Sequence, residues 1–213
     1  MTQDYGFALH TTTAQLGLAV NNFRGDGRWH TWDLGRGLST HLHVRLAEFL
    51  PPQTWPDIGF IAVAKGPGSF TGTRIGVVTA RTLAQQLEVP LFGISTLAAL
   101  ARWQGLDRLQ ISETTYLAVQ RGAAREQLFG GIYRVEPSGE TAVIQPDGVF
   151  TAETWQQTLE KVQTPYTAIE ADETTLATSI DSLLALAYLD YKRGKRPHWS
   201  EVVPFYGQHP VRS

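Results

Sequence analysis

The chain has 213 residues, 42% of them hydrophobic, and a formal net charge of −2. That composition builds a packed core rather than a disordered chain, and the small net charge argues against a module that grips nucleic acid by itself, which carries a basic excess. The sequence contains no cysteine, which excludes disulfides, thiolate zinc sites and thiol catalysis.

Met1-Thr-Gln-Asp-Tyr5 has no basic region followed by an apolar stretch, so no signal peptide is visible. No apolar run is long enough to span a bilayer, and the expected setting is the cytoplasm. Tyr5–His10 reads as a strand, Thr11-Thr-Thr13 as a polar turn and Gln15–Asn21 as a second strand. Gly25-Asp-Gly27 is a turn signal, and Arg28–Leu34 completes a meander. Ser39 is the expected N-cap of a helix in which Leu42, Leu46, Phe49 and Leu50 share a face, and Pro51-Pro52 stops it. Phe60-Ile-Ala-Val-Ala64 reads as a buried strand. After Gly66–Arg74 comes a helix from Ile75 to Leu87, ended by Pro90. Leu91–Ile94 is a strand, and Ser95 caps a helix to about Trp103.

The first lobe therefore reads β-β-β-α-β-α-β-α, a mixed sheet with helices on its faces. The second half repeats this order more loosely. Strands are expected at Tyr116–Gln120, Gln127–Val135, Thr141–Gln145 and Tyr166–Ile169, with Pro137-Ser-Gly139 as a turn. Thr151 caps a helix to about Val162. A final helix runs from Thr174 to Lys192 with Leu176, Ile180, Leu183, Leu184, Ala187 and Leu189 as its apolar stripe, and Gly194 lies just past its end. We divide the chain into an N-terminal lobe, residues 1–101, and a smaller C-terminal lobe, residues 102–213. The last helix is free to pack on either lobe.

The run Gly66-Pro-Gly-Ser-Phe-Thr-Gly-Thr-Arg74 is the most distinctive segment. A strand, a glycine-rich turn and a helix start form a place where backbone N–H groups can meet an anion. Gly66, Gly68 and Gly72 allow close approach, Ser69, Thr71 and Thr73 offer hydroxyls, and Arg74 brings a cationic fork. The run is neither a P-loop nor a dinucleotide fingerprint. Two readings stay open: a phosphate-facing loop, or a tight connection whose glycines serve packing.

The residues from Gly66 to Gly76, the helix after them and Leu91-Phe-Gly-Ile-Ser-Thr-Leu97 resemble the TsaB (YeaZ) family, bacterial proteins of tRNA threonylcarbamoyladenosine (t6A) synthesis. The likeness is strongest over residues 58–100 and extends to the N-terminal strands and to Pro204-Phe-Tyr206. It implies an α/β, actin-like (ASKHA, ribonuclease-H-like) fold of two lobes with mixed sheets flanked by helices. It also implies action with TsaD, the catalytic paralogue, and TsaE, an ATPase. Together they move a threonylcarbamoyl group onto adenosine 37 of tRNAs that read ANN codons. On this likeness the chain is a non-catalytic subunit with no cofactor of its own, ATP/ADP and Mg being used by the complex. It forms a homodimer alone and a heterodimer with TsaD, and meets tRNA only through the complex.

The sequence departs from that family at two places. The family's first strand usually ends in an aspartate, where this chain has His10, and magnesium prefers oxygen ligands. A second family acid, in an Asp-Ala-Arg-x-Gly-Glu pattern, corresponds to the region Gln120–Glu126. There Glu126 and Arg125 match the end of the motif, but Gln120 stands for the aspartate. The competing reading, a self-sufficient actin-like ATP-dependent enzyme, needs strand-end acids in both lobes.

Other candidates are weaker. His41 and His43 stand two apart on a helix, so their rings lie on different faces and no metal site is expected. No serine sits in a nucleophile elbow, so neither a catalytic residue nor a peptidase is supported. Lys192, Arg193, Lys195 and Arg196 favour a helix C-terminus or touch the tRNA backbone. In the helix after the loop, Ile75, Val77, Val78, Ala80, Leu83, Ala84 and Leu87 cover more than one face, while Gly76, Thr79 and Ala80 are small. Such a helix is covered on two sides, by its own sheet and by either the other lobe or a second chain. In the family this helix and the preceding one form the subunit interface. Leu42, Leu46, Ile75, Gly76, Val78, Thr79, Ala80 and Leu83 are therefore the expected contacts. Helices 39–50 and 73–87 would share a bundle with the partner, and arginine at Val78 or Ala80 would leave a folded monomer.

Overall fold

A computed structural model describes residues 5–205 and Gly207. Strands β1 (Tyr5–His10), β2 (Gln15–Asn21) and β3 (Gly27–Asp33) form an antiparallel meander. Helix α1 (Leu38–Phe49) leads to β4 (Ile58–Ala64), α2 (Phe70–Leu87), β5 (Leu91–Ile94) and α3 (Thr96–Trp103). β4 and β5 add in parallel, giving a sheet ordered β3-β2-β1-β4-β5. The second lobe repeats the plan. Its strands β6 (Thr115–Gly122), β7 (Gln127–Val135) and β8 (Thr141–Thr151) form another meander. After α4 (Ala152–Glu160), β9 (Tyr166–Glu170) pairs in parallel with β6. Helices α5 (Glu173–Thr178) and α6 (Ile180–Lys192) complete the fold. This is the expected α/β class: two mixed sheets flanked by helices, each a meander with one or two parallel strands added.

Burial explains the first sheet. β4 is buried at every residue and β1 and β2 at nearly every one, so their apolar runs are covered on both faces. On one face Phe7, Leu9, Leu18, Ile61 and Val63 pack against Leu42, Leu46, Val77 and Ala80 of α1 and α2. On the other, Ala8, Ala19, Phe60 and Ala62 pack against Ile180, Leu183, Leu184 and Ala187. The last helix thus packs on the first sheet.

Four boundaries differ from expectation. Ser39 is not a cap: α1 begins at Leu38 after a short turn at Gly35–Gly37, and no side chain caps it. α2 begins at Phe70 rather than Ile75, because Ser69 accepts a hydrogen bond from the Gly72 N–H and supplies the N-cap. The final helix is two helices. Ser179 is buried and its hydroxyl donates to the Leu176 carbonyl at 2.7 Å, which takes the acceptor that a continuous helix would use. β8 is longer than expected and runs directly into its N-cap, Thr151.

The end of α1 is held from β3. The Arg28 guanidinium donates to the carbonyls of Phe49, Leu50 and Pro51 at 2.8–2.9 Å and to Gln53 Oε1 at 2.6 Å. These are the orphan carbonyls of a helix terminus, met by a cation that also suits the helix dipole. Arg28→Met should lower the unfolding free energy by about 2 kcal/mol in urea titration. Arg28→Lys should recover only a small part of it, because a single ammonium cannot reproduce the fork.

Candidate functional site

The C-terminal ends of β1, β4 and β5 meet the second lobe at one seam. The loop after β4 is shorter than the sequence suggests, since Thr71, Gly72, Thr73 and Arg74 already belong to α2. Its glycines face the chain itself. A Cβ at Gly68 would lie 2.3 Å from the Thr12 carbonyl oxygen, one at Gly72 2.1 Å from that of Thr11, and one at Gly76 2.0 Å from Thr11 Oγ1. Gly66 has φ +99° and faces the Phe205 carbonyl. The Ser69 N–H donates to Thr12 O at 2.7 Å, and Thr11 Oγ1 donates to Gly72 O at 2.8 Å. The amides of Ser69, Gly72 and Thr73 are bonded within the chain. The geometry therefore supports the packing alternative for this loop. Thr71 is exposed, and Arg74 is exposed with its guanidinium 3.7 Å from the Phe70 ring centroid.

His10 is fully buried at the end of β1. Its Nε2 lies 3.1 Å from Thr12 Oγ1, which is 3.3 Å from Thr96 Oγ1. Burial, and then the nearby charge of Arg121, pushes its pKa down to about 3, so the imidazole is neutral. Arg121 itself pairs with Glu173 at 2.5 Å. Gln120, where the second acid is missing, points to the opposite face of its strand. Its Oε1 accepts from the Trp155 indole N–H, and its Nε2 donates to Glu170 at 2.6 Å. Both polar ends of the amide are thus engaged within the chain. Arg125 and Glu126 form the exposed β6–β7 turn, both with positive φ. Across the seam, Ser95 Oγ lies 3.3 Å from Tyr133 Oη, and Tyr133 donates to Asp147. Burial holds the Asp147 carboxyl above its usual range and pushes the Tyr133 phenol up. Sequence reasoning missed both: Tyr133 read only as a strand residue, and Asp147 fell between an expected strand and helix.

A second feature lies on the far face of the first sheet. α1 and α2 leave between them an apolar groove of about 420 Å³, lined by His43, Leu46, Ala47, Trp55, Val78, Thr79, Thr82 and Leu83. Val78 is 61% exposed and Val44 51%. The expected contact set divides here. Val78 is exposed, and Ile75, Thr79 and Leu83 are half-buried. Leu42, Leu46, Gly76 and Ala80 are buried in the chain's own fold. The expectation that arginine at Ala80 leaves a folded protein is corrected, because Ala80 has no exposed surface.

A family model covers both this loop and most of the second sheet. The model "TsaD: tRNA N6-adenosine threonylcarbamoyltransferase" matches residues 53–170, more than half of the chain. The chain belongs to this family. Among its relatives, the "tRNA threonylcarbamoyladenosine biosynthesis protein TsaB" of Bacillus subtilis (strain 168) is 32% identical over 129 residues, covering 60% of this chain and 53% of that protein. The protein of the same description from Escherichia coli (strain K12) is 50% identical over 46 residues, covering 22% of this chain and 20% of that one. The matched stretches thus span about half or less of these relatives' length. In structure, "YeaZ from Pseudomonas aeruginosa" superposes with a TM-score of 0.75 at 21% identity, over 97% of this chain and all of that one. That likeness establishes a shared fold.

The remaining candidates resolve simply. His41 and His43 are both exposed, and no three potential metal ligands gather among the described residues. Among those residues no helix is long and apolar enough to cross a membrane. In the basic cluster, Arg193 pairs with Glu140 at 2.7 Å, Lys195 with Asp190 at 2.9 Å, and Arg196 stacks on Tyr191 at 3.7 Å. Its charge is largely answered within the chain.

Two outcomes test the seam. In Gly72→Ala the new methyl meets backbone that cannot step aside, so stability should fall by about 3 kcal/mol despite the better helix propensity. An unchanged urea midpoint would mean that close packing does not require glycine there. For His10, an unfolded histidine takes up a proton near its ordinary pKa of 6.5, whereas the native one resists to about 3. Its contribution is complete above 6.5 and is lost as pH falls toward 3. Between pH 7.5 and 5 this amounts to about 2 kcal/mol. His10→Asn should therefore flatten the dependence of unfolding free energy on pH across that window, and parallel curves would refute the assignment.

Proposed function

We propose that this chain is a non-catalytic scaffold subunit of the complex with TsaD and TsaE. In this reading the complex transfers a threonylcarbamoyl group to adenosine 37 of tRNAs reading ANN codons, in the cytoplasm. The observation that carries the reading is the pair His10 and Gln120. Each stands where an acid would organise a metal–nucleotide site. One is a buried neutral imidazole, and the other is held by Trp155 and Glu170. Neither offers the oxygen charge that magnesium requires, and the glycines beside them are filled by Thr11 and Thr12. These residues do not fit Mg–ATP, so no step is assigned to such a group here.

What the chain offers is the α1–α2 groove. An exposed valine beside half-buried Ile75, Thr79 and Leu83 makes an apolar strip on a rigid helix pair, a surface suited to another helix of similar character. TsaD is the proposed occupant, and a second copy of this chain takes its place in TsaD's absence. TsaE and tRNA then join the assembled pair.

Reconstituted tRNA modification, run with and without this chain, tests the reading: activity should require it, and the isolated chain should neither bind nor turn over Mg–ATP. Val78→Arg should keep its thermal midpoint and weaken association with TsaD at least tenfold, about 1.4 kcal/mol, as measured by calorimetry. Ala80→Arg should fail to fold. Undiminished pairing by Val78→Arg would remove the groove from the interface.

A further inference from the structure

The last described residues are not used by any part of the site. After α6 the chain turns at Gly194, where φ is +85°, and runs back along the open side of β5. The Leu91 N–H donates to Pro197 O at 3.2 Å. Trp199 packs against the core beneath α2, with the Arg81 guanidinium 5.4 Å from its ring centroid. Val202 is buried and fills the notch over Gly93, where a Cβ would come within 2.8 Å of it. The Phe205 N–H then donates to Lys65 O at 2.6 Å, and the Phe205 carbonyl lies against Gly66.

At that point the segment crosses to the other lobe. The Phe205 ring meets Phe129 of β7 edge to face, with centroids 6.3 Å apart and an interplanar angle of 72°. At Gly207 the space a side chain would need is held by Phe129 and Val149. Residues 197–205 and Gly207, with one helical turn at Trp199–Glu201, touch α2, β5, the loop after β4, and both β7 and β8.

We propose that residues 197–205 and Gly207 form a strap that helps to fix the angle between the two lobes. Other ties across the seam come from α3 and from the end of α6, where Arg193 pairs with Glu140 at 2.7 Å. Ser95 reaches Tyr133, and Arg102 Nε donates to Gly139 O at 3.2 Å. The anchor on Phe129 adds a further fixed point, reached from Lys65 and Gly66 after β4 rather than from either helix. The strap is held by a few discrete contacts rather than buried along its length, since Val203 is 58% exposed. Losing the Phe205 anchor therefore frees the lobes without unfolding either of them. The inference does not depend on the proposed partner.

Because the chain has no cysteine, two introduced ones can be labelled cleanly. Asp33→Cys on the first lobe and Gln156→Cys on the second are both exposed. Pulsed electron spin resonance between spin labels at these positions reads the interlobe distance. The otherwise unaltered chain should give one narrow distribution. Phe205→Ala, and a chain ending at Val203, should broaden it and add a longer component while far-ultraviolet dichroism is retained. Phe129→Ala makes the same cut from the other lobe and should give the same broadening, so the test does not rest on truncated material alone. Phe205→Leu, which keeps apolar bulk, should stay close to the narrow form. A narrow, unshifted distribution in both alanine variants overturns the proposal.

Discussion

The structure depends on how closely the turn after β1 approaches the start of α2. The Thr11 and Thr12 carbonyls sit where side chains at Gly72 and Gly68 would be, and Thr11 Oγ1 sits where one at Gly76 would be. No residue with a Cβ permits that distance. With the helix set down on the strand end, Thr11 Oγ1 can donate to Gly72 O and Thr12 O can accept from Ser69. The position of α2 follows from this contact, and two further features follow from α2. One is the groove, because α1 packs on the same core face beside it. The other is the strap, because Trp199 and Phe205 rest on α2 and on the loop that feeds it.

Much of this was legible in the sequence, for physical reasons that differ from element to element. β1, β4 and β5 are short apolar runs bounded by polar or glycine-rich turns, the pattern of strands covered on both faces. Ser95 and Thr151 announce their helices because a hydroxyl just before an apolar period has one obvious use. The start of α2 was hidden, since Gly72 at a helix start looks like a loop residue on propensity alone. The signal was present in another form: Gly72 and Gly76 are spaced by four, which places them on one face of the helix for close backbone approach. The break at Ser179 had no comparable mark, because neither glycine nor proline stands there. Which of the eight expected contact residues faced outward could not be read from one helix's periodicity. It depends on α1, which covers some of those side chains and leaves Val78 bare.

The polar residues of the seam show the same economy. A carboxylate at position 10 would have to be buried without a cation dedicated to it, at a cost of several kcal/mol. A neutral imidazole can occupy the position with a single hydrogen-bond partner, Thr12. Arg121, the nearest charge, is matched by Glu173. In the second lobe Gln120 replaces a charge with an amide whose donor and acceptor both find partners. The seam thus holds polar residues whose nearest charge, Arg121, is paired within the chain.

A cleft enzyme and a docking platform make opposite demands on such a seam. An enzyme of this architecture must open to admit its substrate and close to exclude water, so its lobes need a free hinge. A platform gains affinity by presenting a surface that is already in its bound form, because ordering it later costs binding energy. In this chain the glycine contacts fix α2 on one side, the seam fixes the lobes on the other, and residues 197–205 and Gly207 connect the two. Positions 10 and 120 carry no acid, and the lobes are joined by internal ties. Under the proposed docking role, that rigidity serves the α1–α2 face, which meets a partner already in its bound form.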